Sequence, residues 1–131
     1  MKLLLDTHIW IWAVSRPEKL SRVVRREIDS ERNELFLSPI SIWEAQHLHR
    51  RGKLGLKGSF LSCLDELLAQ LSVIEAPFDF RVAKEASYLQ LPQPDLGDTL
   101  LAATACALGL TLVTADAQLI ACAWLKTLAN E

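Results

Sequence analysis

Asp98-Thr99-Leu100-Leu101-Ala102-Ala103-Thr104-Ala105-Cys106-Ala107-Leu108-Gly109-Leu110-Thr111-Leu112-Val113-Thr114-Ala115-Asp116 is the stretch that decides the fold. Its first part is rich in Ala and Leu, strong helix formers, and ends at Gly109, the residue that most easily adopts the left-handed conformation closing a helix. Leu110 to Thr114 follows at once, a short apolar run of the kind found in strands covered on both faces. No charge occurs between Thr99 and Ala115. The run still falls short of the roughly 20 residues that span a bilayer, and Gly109 interrupts it, so it predicts a buried helix feeding a buried strand. Asp98 is expected to start that helix, after a loop from Leu91 carrying Pro92, Pro94 and Gly97.

Upstream, the pattern repeats. Lys2 to Asp6 is a Leu-rich strand buried on both faces, bounded by polar Asp6-Thr7-His8. The next helix carries Ile9, Trp10, Trp12, Ala13 and Val14 around its circumference, so it is either covered or set at a subunit contact, and Pro17 closes it. Ser21 caps a second helix, with Val23, Val24 and Ile28 inward and Arg22, Arg25, Arg26, Asp29 and Arg32 outward. Leu35 to Ser38 makes a second strand. Beyond Pro39, Ser41-Ile42-Trp43-Glu44 opens a helix running to about Arg51 and stopping at Gly52, before a Gly- and Lys-rich loop. An amphipathic helix from Ser59 to Leu71, a strand over Val73–Ala76, a helix over Phe80–Leu89 and a weak strand over Leu125–Leu128 complete the reading. Strands alternating with helices through short loops predict a three-layer α/β/α fold around a central parallel sheet of four to five strands, with residues 1–131 as one domain.

Half of the 131 residues are hydrophobic, enough for a sizeable core, and the formal net charge is −2. The chain therefore lacks the overall basic excess of many nucleic-acid binders, and any grip on phosphate must come from local patches or a bound cation. The three cysteines, Cys63, Cys106 and Cys122, lack metal-ligand spacing and lie among apolar or helix-forming neighbours. Free, buried thiols in a reducing cytoplasm are expected. Asp6 breaks the early apolar run, which argues against a signal-peptide core.

In parallel α/β sheets, ligand sites lie beyond the carboxyl ends of the strands, where the strand order reverses. Asp6 and Asp116 follow strands one and four. Glu44 stands early in the helix after strand two, and Asp98 heads the helix leading into strand four, so all four reach one end of the sheet. Each also has a structural use: Asp6, Asp98 and Asp116 are good helix caps or turn residues. Ser41-x-x-Glu44 has the spacing of a capping box, in which Glu44 turns back to the Ser41 backbone N–H. Energetics bear on the choice. Like charges about 4 Å apart repel by roughly 4 kcal/mol per pair at an effective dielectric near 20, so a carboxylate cluster needs protonation or a cation. Hard oxygen donors without neighbouring Cys or His favour Mg²⁺ or Mn²⁺ over zinc. Such an ion promotes phosphodiester hydrolysis without a covalent intermediate, and the Thr114 hydroxyl is placed to orient a carboxylate or water.

Leu3-Leu4-Leu5-Asp6-Thr7-His8, Ser38-Pro39-Ile40-Ser41-Ile42-Trp43-Glu44, Asp95-Leu96-Gly97-Asp98-Thr99-Leu100-Leu101-Ala102-Ala103-Thr104-Ala105 and Leu112-Val113-Thr114-Ala115-Asp116 resemble, in order and spacing, the acidic motifs of PIN-domain proteins. Within that family the sequence is most similar to VapC toxins of type II toxin–antitoxin modules. The resemblance implies a Mg²⁺- or Mn²⁺-dependent endoribonuclease, with Asp6, Glu44, Asp98 and Asp116 as metal ligands, a homodimeric state and a small cognate antitoxin. Thr99 departs from the pattern, since many relatives carry Arg there.

Arg50, Arg51, Lys53 and Lys57 gather positive charge around the glycine-rich loop, which reads either as a grip on an RNA backbone or as a solvated helix end helped by the helix dipole. His47 and His49 do not share a helix face and read as solvated or RNA-adjacent. His8 reads as a packed histidine bonded to backbone. Trp10, Trp12 and Trp43 read as core or interface residues. Two rivals to a nuclease are a catalytically silent RNA- or protein-binding module and a phosphatase with an aspartyl nucleophile. The latter usually needs a second acid two residues on, where this chain has His8.

Overall fold

A computed structural model describes residues 1–131. Five short strands, β1 (Lys2–Leu5), β2 (Glu34–Leu37), β3 (Ile74–Glu75), β4 (Thr111–Thr114) and β5 (Thr127–Ala129), alternate with seven α-helices. The helices are α1 (Thr7–Ser15), α2 (Arg22–Asp29), α3 (Pro39–Arg50), α4 (Phe60–Gln70), α5 (Phe80–Ala86), α6 (Leu96–Leu108) and α7 (Ala117–Ile120). All strand pairs are parallel, in the order β3-β2-β1-β4-β5. The chain builds outward from β1 to β2 and β3, then returns to lay β4 and β5 on the other side. The order therefore reverses between β1 and β4, and the crevice beyond their carboxyl ends is where such folds bind ligands.

Alternation along the strands divides the core into two. Leu3, Leu5, Leu35, Leu37 and Val113 face α1, α2, α3 and α4, packing with Ile9, Trp10, Val24, Ala45, Phe60 and Leu67. Leu4 and Leu112 face the other way, against Leu101, Ala102 and Ala105 of α6 and Leu119 of α7. A sheet between two helical layers is a three-layer α/β/α fold, and both faces are apolar because both are covered. Gly109 closes α6 at φ 67°, and its N–H donates to the Ala105 carbonyl.

Several boundaries differ from expectation. A short 3₁₀ turn over Pro17–Lys19 follows α1, and α5 ends at Ala86 rather than Leu89. The last strand covers Thr127–Ala129 rather than Leu125–Leu128. Leu125 instead buries its side chain under α6 and α7. Asn130 fastens this end: its N–H donates to Thr114 O at 2.8 Å, and its Oδ1 accepts from Ser21 N at 2.6 Å. The three cysteines are free but half-buried rather than buried. No helix is long and apolar enough to cross a membrane.

Candidate active site

A cleft of about 590 Å³ opens at the carboxyl ends of β1 and β4, and Asp6, Glu44, Asp95, Asp98 and Asp116 all line it. Four of these acids come from four different elements, so the fold and not local sequence brings them together. Asp6 is the first residue after β1 and caps α1, its Oδ1 accepting from Thr7 N at 2.7 Å. Its Oδ2 accepts from Thr114 Oγ1 at 2.6 Å, and the same Oγ1 accepts from Asp116 N at 3.0 Å. Thr114 is fully buried and does not line the cleft. It is therefore a positioning residue, tying the exits of β1 and β4 together. Asp116 caps α7, with Oδ1 accepting from Leu119 N at 3.1 Å.

Glu44 is not part of a capping box. The cap of α3 is Ser38, whose Oγ accepts from Ile40 N at 3.0 Å, and Pro39 fills the first helical position, where a missing N–H is harmless. Ser41 lies inside the first turn, buried, with its Oγ 3.0 Å from Thr7 Oγ1. Thr7 Oγ1 donates to Glu44 Oε1 at 2.6 Å, so this carboxylate is aimed across at α1 and the cleft rather than back at its own helix. Asp98 likewise is not the start of α6. Asp95 caps that helix, accepting from Asp98 N at 3.0 Å, which leaves the Asp98 side chain in the first turn facing the cleft.

Between these two helices stands Gly97, buried in the first turn of α6. A Cβ there would collide with the Glu44 carboxylate, falling 2.8 Å from its Cδ. With glycine here the Glu44 carboxylate takes the space a methyl group would fill, so any larger residue would displace it.

The acids burden one another. Burial, with the charges of Asp116, Asp6, Asp95 and Glu44 added, pushes Asp98 from its ordinary 3.8 up to about 7. Burial also raises Asp6, against the hydrogen bonds from Thr114 and Thr7 that favour its anion. Glu44 is raised by burial as well, with Thr7 opposing and the charges of Asp6 and Asp95 adding. No three Asp, Glu, His or Cys side chains close into a preformed metal cage. The acids form an open set of hard oxygen donors, suited to a cation that keeps part of its water shell, and Mg²⁺ usually does so, binding through one or two carboxylates.

The PIN domain describes a family whose model matches residues 3–125. The chain belongs to the PIN-domain family. The fold of this PIN domain is similar to that of VapBC2 from Rickettsia felis bound to a DNA fragment from their promoter, at a TM-score of 0.71 and 20% identity, covering 98% of each chain. It is also similar to FitAcB from Neisseria gonorrhoeae, at a TM-score of 0.63 and 26% identity, covering 98% of this chain and 97% of that one. A third likeness is to DNA-bound VapBC from Salmonella typhimurium, with a TM-score of 0.69, 16% identity and 98% coverage of both chains. No curated protein matches the sequence.

Of the basic residues expected to contact substrate, only Arg51 lines the cleft of this PIN domain; Arg50 and Lys53 do not. Helix periodicity explains the split, because Glu44, His47 and Arg51 recur at spacings of three and four on one face of α3, while Arg50 points elsewhere. Trp43 and His47 line the cleft as well. Trp43 is 53% exposed and is neither core nor covered by the fold, in contrast to the fully buried Trp10. The sequence reading missed Thr7, Ser38 and Gly97, and it took Trp43 for a core or interface residue. Ser38-Pro39 is itself a helix-start signal, and it competed with the capping-box spacing three residues on.

Proposed function

We propose that this PIN domain is a Mg²⁺- or Mn²⁺-dependent endoribonuclease and the toxin of a toxin–antitoxin pair, acting in the cytoplasm as a homodimer held in check by a small cognate antitoxin. The observation that carries the reading is the convergence of Asp6, Glu44, Asp98 and Asp116 on one cleft, with Asp98 pushed up to about 7 by burial and its acidic neighbours. Such a set is costly unless a cation or protons compensate it. When bound, a divalent ion polarises a phosphodiester, activates water for attack on phosphorus and neutralises the leaving oxygen. Asp6, Glu44, Asp98 and Asp116 would hold it.

The chain's own residues supply the order. Thr114 and the Thr7 N–H fix both oxygens of Asp6. Thr7 Oγ1 fixes one oxygen of Glu44, leaving the other uncommitted. Asp98 presents its carboxylate from the N-terminal turn of α6, and Arg51 at the far end of α3 is free to meet the RNA backbone. The toxin role and the antitoxin are supported by the similarity in fold to the VapBC and FitAcB structures, and free Cys63, Cys106 and Cys122 fit a reducing compartment.

Incubation of the purified protein with structured and unstructured RNA tests the reading. Internal cleavage is expected with Mg²⁺ or Mn²⁺, with loss in EDTA and recovery on adding the ion back. Cleavage undiminished in chelator overturns metal dependence. RNA that is retained but never cut, under any cation, favours the silent binding module.

A further inference from the structure

We propose that Trp43 is a nucleobase-stacking platform, seating one base of single-stranded RNA beside the carboxylates; this rests on the ribonuclease reading of the cleft. Trp43 immediately precedes Glu44 on α3 and lines the same cleft, yet its side chain is 53% exposed. His47, one turn on, meets the indole edge-to-face with ring centroids 4.3 Å apart and planes at 75°. At 75° the imidazole is not stacked in parallel on the indole, and more than half of the Trp43 side chain stays open to solvent.

The other tryptophans are differently engaged. Trp10 is fully buried, and Trp124 lies outside the cleft. Trp12 already has the Lys19 ammonium 5.4 Å from its ring centroid and the His8 ring 5.7 Å away. Of the two indoles in the cleft, Trp12 and Trp43, Trp43 is thus the more exposed and has no cation over its ring. Arg51 lies eight residues further along the same helix, about 12 Å at a rise of about 1.5 Å per residue, and lines the same cleft. The structure's one ion pair is Arg26 with Glu27, so Arg51 has no carboxylate partner and is available to phosphate. A base platform, an acidic centre and a cation in sequence along one wall match the requirements of an unpaired strand, whose bases stack on aromatic rings while its backbone meets a cation. A duplex hides its base faces and gains nothing from Trp43.

The test uses the whole protein, an oligoadenylate RNA and its abasic counterpart of equal length. In EDTA, oligoadenylate is expected to quench wild-type indole fluorescence far more than the abasic oligomer, and Trp43→Phe should remove that quench while retaining most binding. In Mg²⁺, Trp43→Ala should raise KM roughly 10-fold, within the range seen for lost base–aromatic stacking, with kcat near wild type. Trp43→Phe should recover most of the loss. Equal quenching by the two oligomers, or an unchanged KM in Trp43→Ala, overturns the proposal. Unchanged RNA kinetics with weakened binding of a co-purifying protein partner would assign Trp43 to that partner instead. If wild type cuts no RNA, the ribonuclease reading fails, while the quench in EDTA still decides whether Trp43 binds bases.

Discussion

The two halves of the acidic cleft are held in different ways. At the sheet, both oxygens of Asp6 are engaged, by the Thr7 N–H and the Thr114 hydroxyl, and one oxygen of Asp116 accepts from the Leu119 N–H. On the helices, Glu44 has a single donor, Thr7, and the raised Asp98 is shifted by burial and by four acidic neighbours with no hydrogen bond to offset them. The positive end of α6 favours the Asp98 anion by only about 0.3–1 kcal/mol, and burial with repulsion outweighs it. The sheet thus fixes the geometry of the site, while burial leaves Asp6, Glu44 and Asp98 all raised, Asp98 with no donor to its carboxylate. A cation entering the cleft relieves all three, Asp6 as well as the helix-borne pair.

The largest effect that separates the halves is expected from Asp98→Asn. It should lower RNA cleavage by at least about 10²-fold and raise the melting temperature of the metal-free protein, because a carboxylate held unwillingly as an anion is gone. Asp6→Asn should be equally inactive but gain less stability, since it disturbs the acceptor of the Thr114 hydroxyl. Equal stabilisation by both changes would erase the distinction between the halves.

Glu44→Gln keeps an amide oxygen for Thr7 and should leave melting nearly unchanged, while cleavage falls by at least about 10²-fold. Ser38→Ala, which removes the true cap of α3, should cost about 1 kcal/mol of stability with cleavage near wild type. A reversal of those two outcomes would make Glu44 structural. Gly97→Ala should displace the Glu44 carboxylate and lower cation affinity or cleavage by about 10–100-fold, the range for residues that orient ligands. Wild-type Mn²⁺ affinity in that variant would show that Glu44 has room to move. Smaller in activity, Thr114→Val leaves an Asp6 oxygen and the Asp116 N–H without their partner, and should cost about 1–3 kcal/mol in denaturant unfolding.

The sheet was legible in the sequence because its signals are local and redundant. Leu3-Leu4-Leu5 and Leu112-Val113 are apolar on both faces, and Gly109 punctuates helix from strand. The acids at the strand ends were legible for the same reason, since a strand's carboxyl end is where its last residue leads. The helix-borne half was harder. Ser38 and Ser41 each offer a cap to α3, and only the approach of Thr7 from α1, distant in sequence, aims Glu44 into the cleft. The role of Gly97 depends on a neighbouring helix and leaves no local pattern, and Arg50 and Arg51 differ only in the face on which α3 places them. Exposure of Trp43 is likewise a property of what fails to cover it.

Melting of the metal-free protein between pH 5 and pH 8, repeated with Mg²⁺, tests the central claim most directly. Asp98 has a folded-state value near 7 against an ordinary 3.8, so between these limits the folded state binds more protons than the unfolded chain. Its contribution to stability is present below the ordinary carboxylate value and is lost as pH rises through about 7. The account predicts a metal-free melting temperature that falls from pH 5 to pH 8, a flatter profile in Asp98→Asn, and recovery at pH 8 when Mg²⁺ is added well above its Kd, which is worth about 2.7 kcal/mol at a 100-fold excess. A profile that does not fall in the metal-free wild type, or a pH 8 melting temperature that Mg²⁺ leaves unchanged, would contradict it.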